Sequence, residues 1–412
     1  MVDLEIPNDI RELRSRVAQF IDDVVAPAER EIGTRPFFDI VKELQAKARD
    51  AGLWCPFVPV EYGGMGLGHL ANAIVQIEVG RSFSHLGAWA MNCMGPQDAT
   101  MLALIDHGTD EQKRRYLVPL VNGDLRICFS MTERAAGADA TGMETTAVQQ
   151  DSGWIVNGEK WFTSGASISQ VALVMAKTNP DAPRHRRFTT FLVDLPDPGF
   201  EIVRNIPVMG ESDQPSFRGE VTMGHAEVRI RNLTVPAGNV LGGLGEGFAV
   251  GQHRLGYGRL RHGMWSVAKA QAALDLATAR ACDRVTFGER LADRQGIQWM
   301  LADCAEKLYA TRLMILHLAY KMERGMDLRQ ENSIAKTYIA HMLCDIIDTA
   351  IQIHGSLGYT HDLPLAGWLN EARANRLVDG PDEVHRWMVG RNVVKAYERD
   401  GTTAAAAGGD IF

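Results

Sequence analysis

Asp379 is the carboxylate whose setting invites chemistry. It stands in RLVDGPDEVHR, residues 376–386, immediately before Gly380-Pro381 and an acidic pair, Asp382-Glu383. Locally the stretch is a helix start: proline suits a first helical position, carboxylates suit the first turn, and Asp is favoured just outside it. A carboxylate in this place could also take a proton from a substrate, but on this segment alone the cap is the expected reading. Other chemistry is thinner. GGLGEG, residues 242–247, precedes a helix, but a dinucleotide fingerprint needs a preceding strand, a βαβ unit and an acidic residue about 20 positions on. The sequence before it ends in a Pro-Gly loop, so a tight connecting turn is the expectation. Ser130, Ser164 and Ser169 lie in no G-x-S-x-G elbow. Six scattered cysteines form no C-x-x-C pair, and twelve histidines show no H-E-x-x-H spacing. Neither a metal nor a disulfide framework is expected.

The elements that must position Asp379 follow from pattern. The chain has 412 residues, 46% hydrophobic and 23% charged, which suits a globular protein of two or three domains. Its net charge of -8 argues against a nucleic-acid partner, and the basic run at residues 184–187 reads as a solvated loop. No apolar run is long enough to span a bilayer, and MVDLEIPNDIRELRSR is acidic and polar where a signal peptide would be basic and then apolar, so a cytoplasmic location is expected. Residues 1–122 read as an α-helical domain with Gly-rich turns, and TDEQKRRYLVPL opens like a capped helix. Residues 123–243 change to short β-branched and apolar runs, a β domain in which Asn157-Gly158 predicts a hairpin turn. Residues 244–400 return to helical periodicity. One stripe is Leu301, Cys304, Ala305, Leu308, Ile315 and Leu316; a second is Ile339, Met342, Leu343, Ile346, Ile347, Ala350 and Ile351. Residues 401–412 carry no stripe and read as a mobile tail.

Four segments tell more together than singly. FSMTERAAGADATGMETTA (129–147) and NGEKWFTSG (157–165) each put a Thr near a strand end. RVTFGERLADRQGIQWMLAD (284–303) carries Arg284 and Gln295 before a long helix, and AIQIHGSLGYTHDLPL (350–365) ends a helix in Gly-rich turns. In this order, with the long patterns FGxxLxxxQ and QIxGxxGYTxxxP, they resemble the acyl-CoA dehydrogenase family of flavoproteins over residues 11–395. DGPDEVHR and APRHRR look most like the branch of members 10 and 11, whose larger forms add a kinase-like domain not expected within this length. The implied fold is α+β: an N-terminal helical domain, a central β-barrel or sandwich, and a C-terminal four-helix bundle.

The resemblance implies non-covalent FAD and an acyl-CoA substrate, dehydrogenated between the α and β carbons. It places Phe129, Met131 and Thr132 on the flavin, Trp161 over the ring face and Thr163 towards N5. Arg284 and Gln295 match positions that reach the FAD of a neighbouring subunit, Phe287 is a further cofactor-binding position, and Gln352, His354, Gly355 and Ser356 match a further FAD-contacting turn. Gly256, Tyr257, Gly258 and Arg259 fall where the family contacts acyl-CoA. Asp379 aligns with the catalytic base, usually Glu, with Gly380 as its substrate-contacting neighbour and Pro381, Asp382 and Glu383 flanking FAD. A homotetramer and electron-transfer flavoprotein as acceptor are implied as well. Departures are Arg134-Ala135 in place of the usual Pro-Gly, and Ala138, a cofactor-contacting position that lacks the usual serine hydroxyl, expected to help hold the CoA portion. Gly258 stands where some members carry their base, which leaves Asp379 alone. Two rival readings are a nitroalkane-oxidase-like flavoenzyme and a flavin-binding protein without turnover.

Overall fold

The structure of the protein is a computed structural model that describes residues 6–209 and 224–408. The described residues gather into two compact units, one from residues 30–66, 89–209 and 224–258, the other from 6–29, 67–88 and 259–408.

The first unit is built on an eight-stranded sheet. Strands β1 (Ile127–Ser130), β2 (Thr146–Gln150), β3 (Gly153–Ser164), β4 (Val171–Lys177), β5 (Phe188–Asp194), β6 (Phe200–Ile206), β7 (His225–Pro236) and β8 (Val240–Leu241) follow the order β6-β7-β3-β2-β4-β5-β8, with β1 parallel to β4. VALVMAK of β4 is a continuous apolar run because both its faces are covered. Ala172, Val174 and Ala176 join Cys128, Trp154, Phe191 and Val228 in one core, while Met175 joins Met131, Met143 and Phe188 in another. Of the helices that come before the sheet in sequence, α1 (Asn8–Phe20) and α3 (His69–Val79) belong to the other unit, and α2 (Phe37–Asp50) and α4 (Gln97–His107) to this one. Thr109 opens the next helical turn with the expected cap: its hydroxyl accepts from Gln112 N–H, and the Gln112 side chain accepts from Thr109 N–H.

Asn157-Gly158 is not the expected hairpin turn. Strand β3 runs straight through it, and the β2–β3 turn falls at Asp151, which takes a positive φ of 47°. Gly158 instead forms a bulge against β7 at φ 154°, where a Cβ would stand 2.4 Å from Thr145 Oγ1. The glycine answers a close approach, which the turn propensity of the pair cannot distinguish from a reversal.

The second unit is helical. It holds most of α5 (Gly247–Asp283) with α6 (Gln295–Glu323), α7 (Arg329–His354), α8 (Leu365–Ala374) and α9 (Asp382–Asp400). The α7 stripe is buried as expected apart from the half-buried Ile351. On α6 the buried seam is Cys304, Leu308, Thr311, Ile315 and Leu318, a narrower stripe that leaves Ala305 exposed. Gly263 of α5 lets the helices close up, since a Cβ there would meet Ile315 Cδ1 at 2.5 Å and Ile339 Cδ1 at 3.2 Å. Where a mobile tail was expected, Ala404–Ala407 form a 3-10 turn whose buried Ala406 accepts from Gln330 Nε2 at 2.8 Å; residues 409–412 lie outside the described residues. Among the described residues no helix is long and apolar enough to cross a membrane, and no group of three or more His, Cys, Asp or Glu side chains could hold a metal.

The sheet unit contains one fully buried ion pair, Lys160 Nζ to Glu133 Oε1 at 2.8 Å. Lys160→Met should leave the Glu133 carboxylate buried without its counter-charge and cost about 3–5 kcal/mol. Urea unfolding midpoints of the two proteins check this; a loss below about 1 kcal/mol would show the pair to be dispensable.

Candidate active site

In the sheet unit, the expected flavin-contacting residues lie at adjacent strand ends. Ser130 Oγ and Thr163 Oγ1 are 2.9 Å apart, so the Thr163 side chain at the end of β3 is fixed by the end of β1. Trp161 N–H donates to Thr132 O at 2.7 Å. A register shift between Lys160 and Thr163, with Phe162 at φ 57°, turns Trp161 and Thr163 relative to the rest of β3. Phe129 is half-buried, and the Arg254 guanidinium lies 4.2 Å over its ring. The Trp161 ring is flanked by Arg134 at 4.3 Å and Arg204 at 5.4 Å, and Glu227 accepts from both guanidiniums. Ala138 is exposed. On α5, Tyr257 is buried with its ring 5.2 Å from Phe57, Gly258 is buried, and Gly256 has open space where a Cβ would stand.

In the helical unit the expected residues form three separate places. Arg284 and Phe287 sit at a two-stranded hairpin, Val285–Thr286 with Glu289–Arg290, and Phe287 is 97% exposed at φ 52°. Gln295 is exposed at the start of α6. At the C-terminal end of α7, Gln352 and Ser356 are exposed, Gly355 takes φ 67°, and buried His354 donates through Nδ1 to Ala350 O at 2.8 Å.

The third place is the turn before α9. Asp379 takes φ 53°, a left-handed conformation in which Asp is among the more tolerant residues. Its carbonyl accepts from Arg259 Nε at 2.8 Å and from His385 Nε2 at 3.2 Å. Its carboxylate faces His262, with Nε2 3.6 Å from Oδ2, and is one-fifth exposed. Gly380 follows at φ 98°, where a Cβ would come within 2.8 Å of His385 Nε2. Pro381 precedes the first residue of α9, Asp382, while Glu383 is exposed. Asp382 is the buried carboxylate: Arg376 Nε at 2.8 Å, His341 Nε2 at 2.9 Å and Lys336 Nζ at 3.6 Å surround it. Burial raises its pKa, but these partners outweigh burial and hold it below the ordinary carboxylate range.

Three family models for acyl-CoA dehydrogenases match in succession: the N-terminal domain at residues 7–124, the middle domain at 128–223 and the C-terminal domain at 245–394. The chain belongs to the acyl-CoA dehydrogenase family. Curated relatives include the candidate acyl-CoA dehydrogenase FadE2 of Mycobacterium tuberculosis, 36% identical with 96% of this chain and 97% of that one covered. Acyl-CoA dehydrogenase family member 10 of Mus musculus is 34% identical over 95% of this chain but only 37% of its own length. Member 11 of Gallus gallus is 33% identical over 92% of this chain and 50% of its own. Among solved structures, butyryl-CoA dehydrogenase of Megasphaera elsdenii has a TM-score of 0.83 at 25% identity, covering 95% of this chain and 100% of that one.

Sequence reasoning did not find His385, Ser333 or His262. His385 stands in the quoted DGPDEVHR stretch, three residues after Asp382 and so on the same helical face, which is the one signal available. Ser333 and His262 are 46 and 117 residues before Asp379, as their numbers show, and no local pattern ties them to it. Burial, and then the charge of Arg259, push the His385 pKa down to about 4. An imidazole with a lowered folded pKa binds its proton more readily in the unfolded chain, so the acyl-CoA dehydrogenase should lose stability as pH falls from about 6.5 towards 4. His385→Gln removes that titration. Urea midpoints at pH 6.5 and pH 4.5 should therefore fall less for the variant than for the wild type, and equal falls would disprove the neutral imidazole.

Proposed function

We propose that this acyl-CoA dehydrogenase holds FAD and dehydrogenates an acyl-CoA thioester to the trans-2-enoyl-CoA, with Asp379 as the base. The observation that carries the reading is the Asp379 turn. Two side chains from flanking helices hold the backbone carbonyl, while the carboxylate itself stays partly accessible beside Arg259 and His262. Asp382, three residues on, is buried among cations and unsuited to accept a substrate proton. Two neighbouring carboxylates thus differ in role because their surroundings differ.

The residues of the sheet unit fit an isoalloxazine. Phe129, Met131 and Trp161 offer an apolar ledge, and Thr132 and Thr163 offer hydroxyls at its edge, one of them locked by Ser130. FAD, when bound, supplies the hydride acceptor. In the step proposed, the Cα–H bond breaks and its proton passes to an Asp379 oxygen; the β-hydrogen leaves as hydride, and the Cα=Cβ bond forms. Charge developing on the thioester oxygen needs a hydrogen-bond donor. The backbone N–H of Asp379, which no backbone carbonyl among the described residues is seen to take, meets that need in this reading. Arg259 adds a fixed positive charge close by.

A homotetramer and electron transfer to an electron-transfer flavoprotein complete the reading. Exposed Phe287, Trp299 and Tyr309 in the helical unit support assembly with further copies. Among the described residues no cysteine forms a disulfide, which suits a reducing cytoplasm. A nitroalkane oxidase would also use an aspartate here, and bleaching by nitroalkanes but by no acyl-CoA would favour it.

Asp379→Asn tests the base directly. Asn tolerates the left-handed backbone at least as well as Asp, so the variant should fold, retain FAD and bind acyl-CoA. Without the carboxylate it should reduce flavin at least ~100-fold more slowly under anaerobic stopped-flow mixing, the lower end for a positioned base. Asp379→Glu should keep measurable activity. Near-wild-type reduction by the Asn variant would remove Asp379 from the role of base.

A further inference from the structure

The Asp379 carbonyl receives two hydrogen bonds, and the second comes from a side chain whose own partner is fixed. His385, on the first turn of α9, is 5% exposed; its Nε2 lies 3.2 Å from Asp379 O and its Nδ1 2.9 Å from Ser333 Oγ on α7, itself 5% exposed. A carbonyl oxygen can only accept, so Nε2 carries the hydrogen. The ring is buried beside the Arg259 cation, which disfavours a second charge, so it is neutral and Nδ1 has no hydrogen. Ser333 must then donate to Nδ1. The proton arrangement of the whole chain, from the Ser333 hydroxyl through the ring to the Asp379 carbonyl, is fixed by these constraints.

Resting on the reading of Asp379 as the base, we infer that Ser333 and His385 are positioning residues that hold the Asp379 peptide in its left-handed conformation and so aim the carboxylate. A left-handed Asp is disfavoured against ordinary backbone and persists where its surroundings enforce it. Arg259 approaches the carbonyl from α5 and His385 from α9, so the two donors occupy both lone pairs and oppose rotation of the peptide. Gly380 is part of the same device. A Cβ at that position would stand 2.8 Å from His385 Nε2, in the space the donor needs to reach its acceptor. His385 never meets the substrate in this arrangement; it acts through the backbone of the residue that does.

The test uses the full-length, FAD-loaded protein with butanoyl-, octanoyl- and hexadecanoyl-CoA, whichever reduces the wild-type flavin fastest. His385→Leu keeps an apolar volume without a donor. It should reduce flavin ~10–100-fold more slowly at saturating acyl-CoA, the scale of an ångström-sized misplacement of a reacting group, with FAD content and acyl-CoA affinity within about 2-fold of wild type. His385→Gln, whose amide nitrogen can reach the place of Nε2, should recover to within about 5-fold of wild type, because the donor and not the ring matters. Ser333→Ala lets the ring turn and should slow reduction by about 3–10-fold. Should His385→Leu fail to fold, Ser333→Ala and His385→Gln decide. Wild-type rates in His385→Leu or in Ser333→Ala overturn the inference, as does a Gln variant no faster than the Leu variant. A wild-type flavin that none of the three thioesters reduces overturns the base reading and this inference together, whereas normal wild-type reduction with unaffected variants overturns this inference alone.

Discussion

The buried ammonium of Lys160 is the constraint on which the sheet unit's ledge depends. Burial pulls its pKa down to about 8, and it stays charged at neutral pH because Glu133 Oε1 lies at 2.8 Å and Met131 O at 2.9 Å. Glu133 does not stop at the lysine. Its oxygens also accept the backbone N–H groups of Glu144 at 2.5 Å and Thr145 at 3.0 Å. Thr145 Oγ1 in turn donates to Glu159 O, and Lys177 N–H donates to Thr145 O. One charge therefore ties the segment after β1, the start of β2, the middle of β3 and the end of β4. Met131, Thr132, Trp161 and Thr163 sit on these ties, so their relative placement exists before any ligand arrives.

The helical unit solves a related problem with a different group. Around Asp379 it is the backbone that is strained, and the donors that hold it are aimed at a carbonyl, leaving the side chain for other work. The segment is closed on itself: Asp382 N–H donates to Arg376 O at 3.1 Å, and Arg376 Nε returns to Asp382 Oδ2 at 2.8 Å. The acidic pair at the start of α9 is thus divided, with Asp382 spent on the turn and Glu383 exposed. Asp379 is not the residue that caps α9: Pro381 holds the N-cap position without a side-chain cap, and the first-turn charge comes from Asp382 and Glu383.

What the sequence made legible was whatever repeats locally. The α7 stripe, the Thr109 capping box and the change from helix to strand texture all rest on near neighbours, and all are found. The long motifs carried the family because each spans several contacts at once. Asn157-Gly158 misled because a glycine required by Thr145 across the strand pair looks the same, in one dimension, as a glycine required by a reversal. Ser333 and His385 were invisible for the opposite reason: nothing in a serine on one helix and a histidine on another announces a shared acceptor until the helices are packed. Lys160 and Glu133 are 27 residues apart, and no local pattern ties one to the other.

The Arg134-Ala135 departure from the family pattern can now be weighed physically. A proline after the Thr-Glu pair would stiffen the segment through its fixed φ. Here the turn is held instead by Ala136 and Gly137 N–H groups donating to Glu133 O, at 3.2 and 3.0 Å. Arg134 then reaches out to Trp161 and Glu227, where Arg204 meets it from β6. Each cation over this half-buried indole is worth on the order of 1 kcal/mol, and Glu227 keeps two like charges within reach of one ring. The ring is therefore restrained from the side by charge pairs where the family uses a stiff backbone. Such a clamp is adjustable in a way a proline is not. It also places two guanidiniums beside Trp161, the ring proposed to cover the flavin's face, so in that reading the altered loop is a differently charged wall of the site.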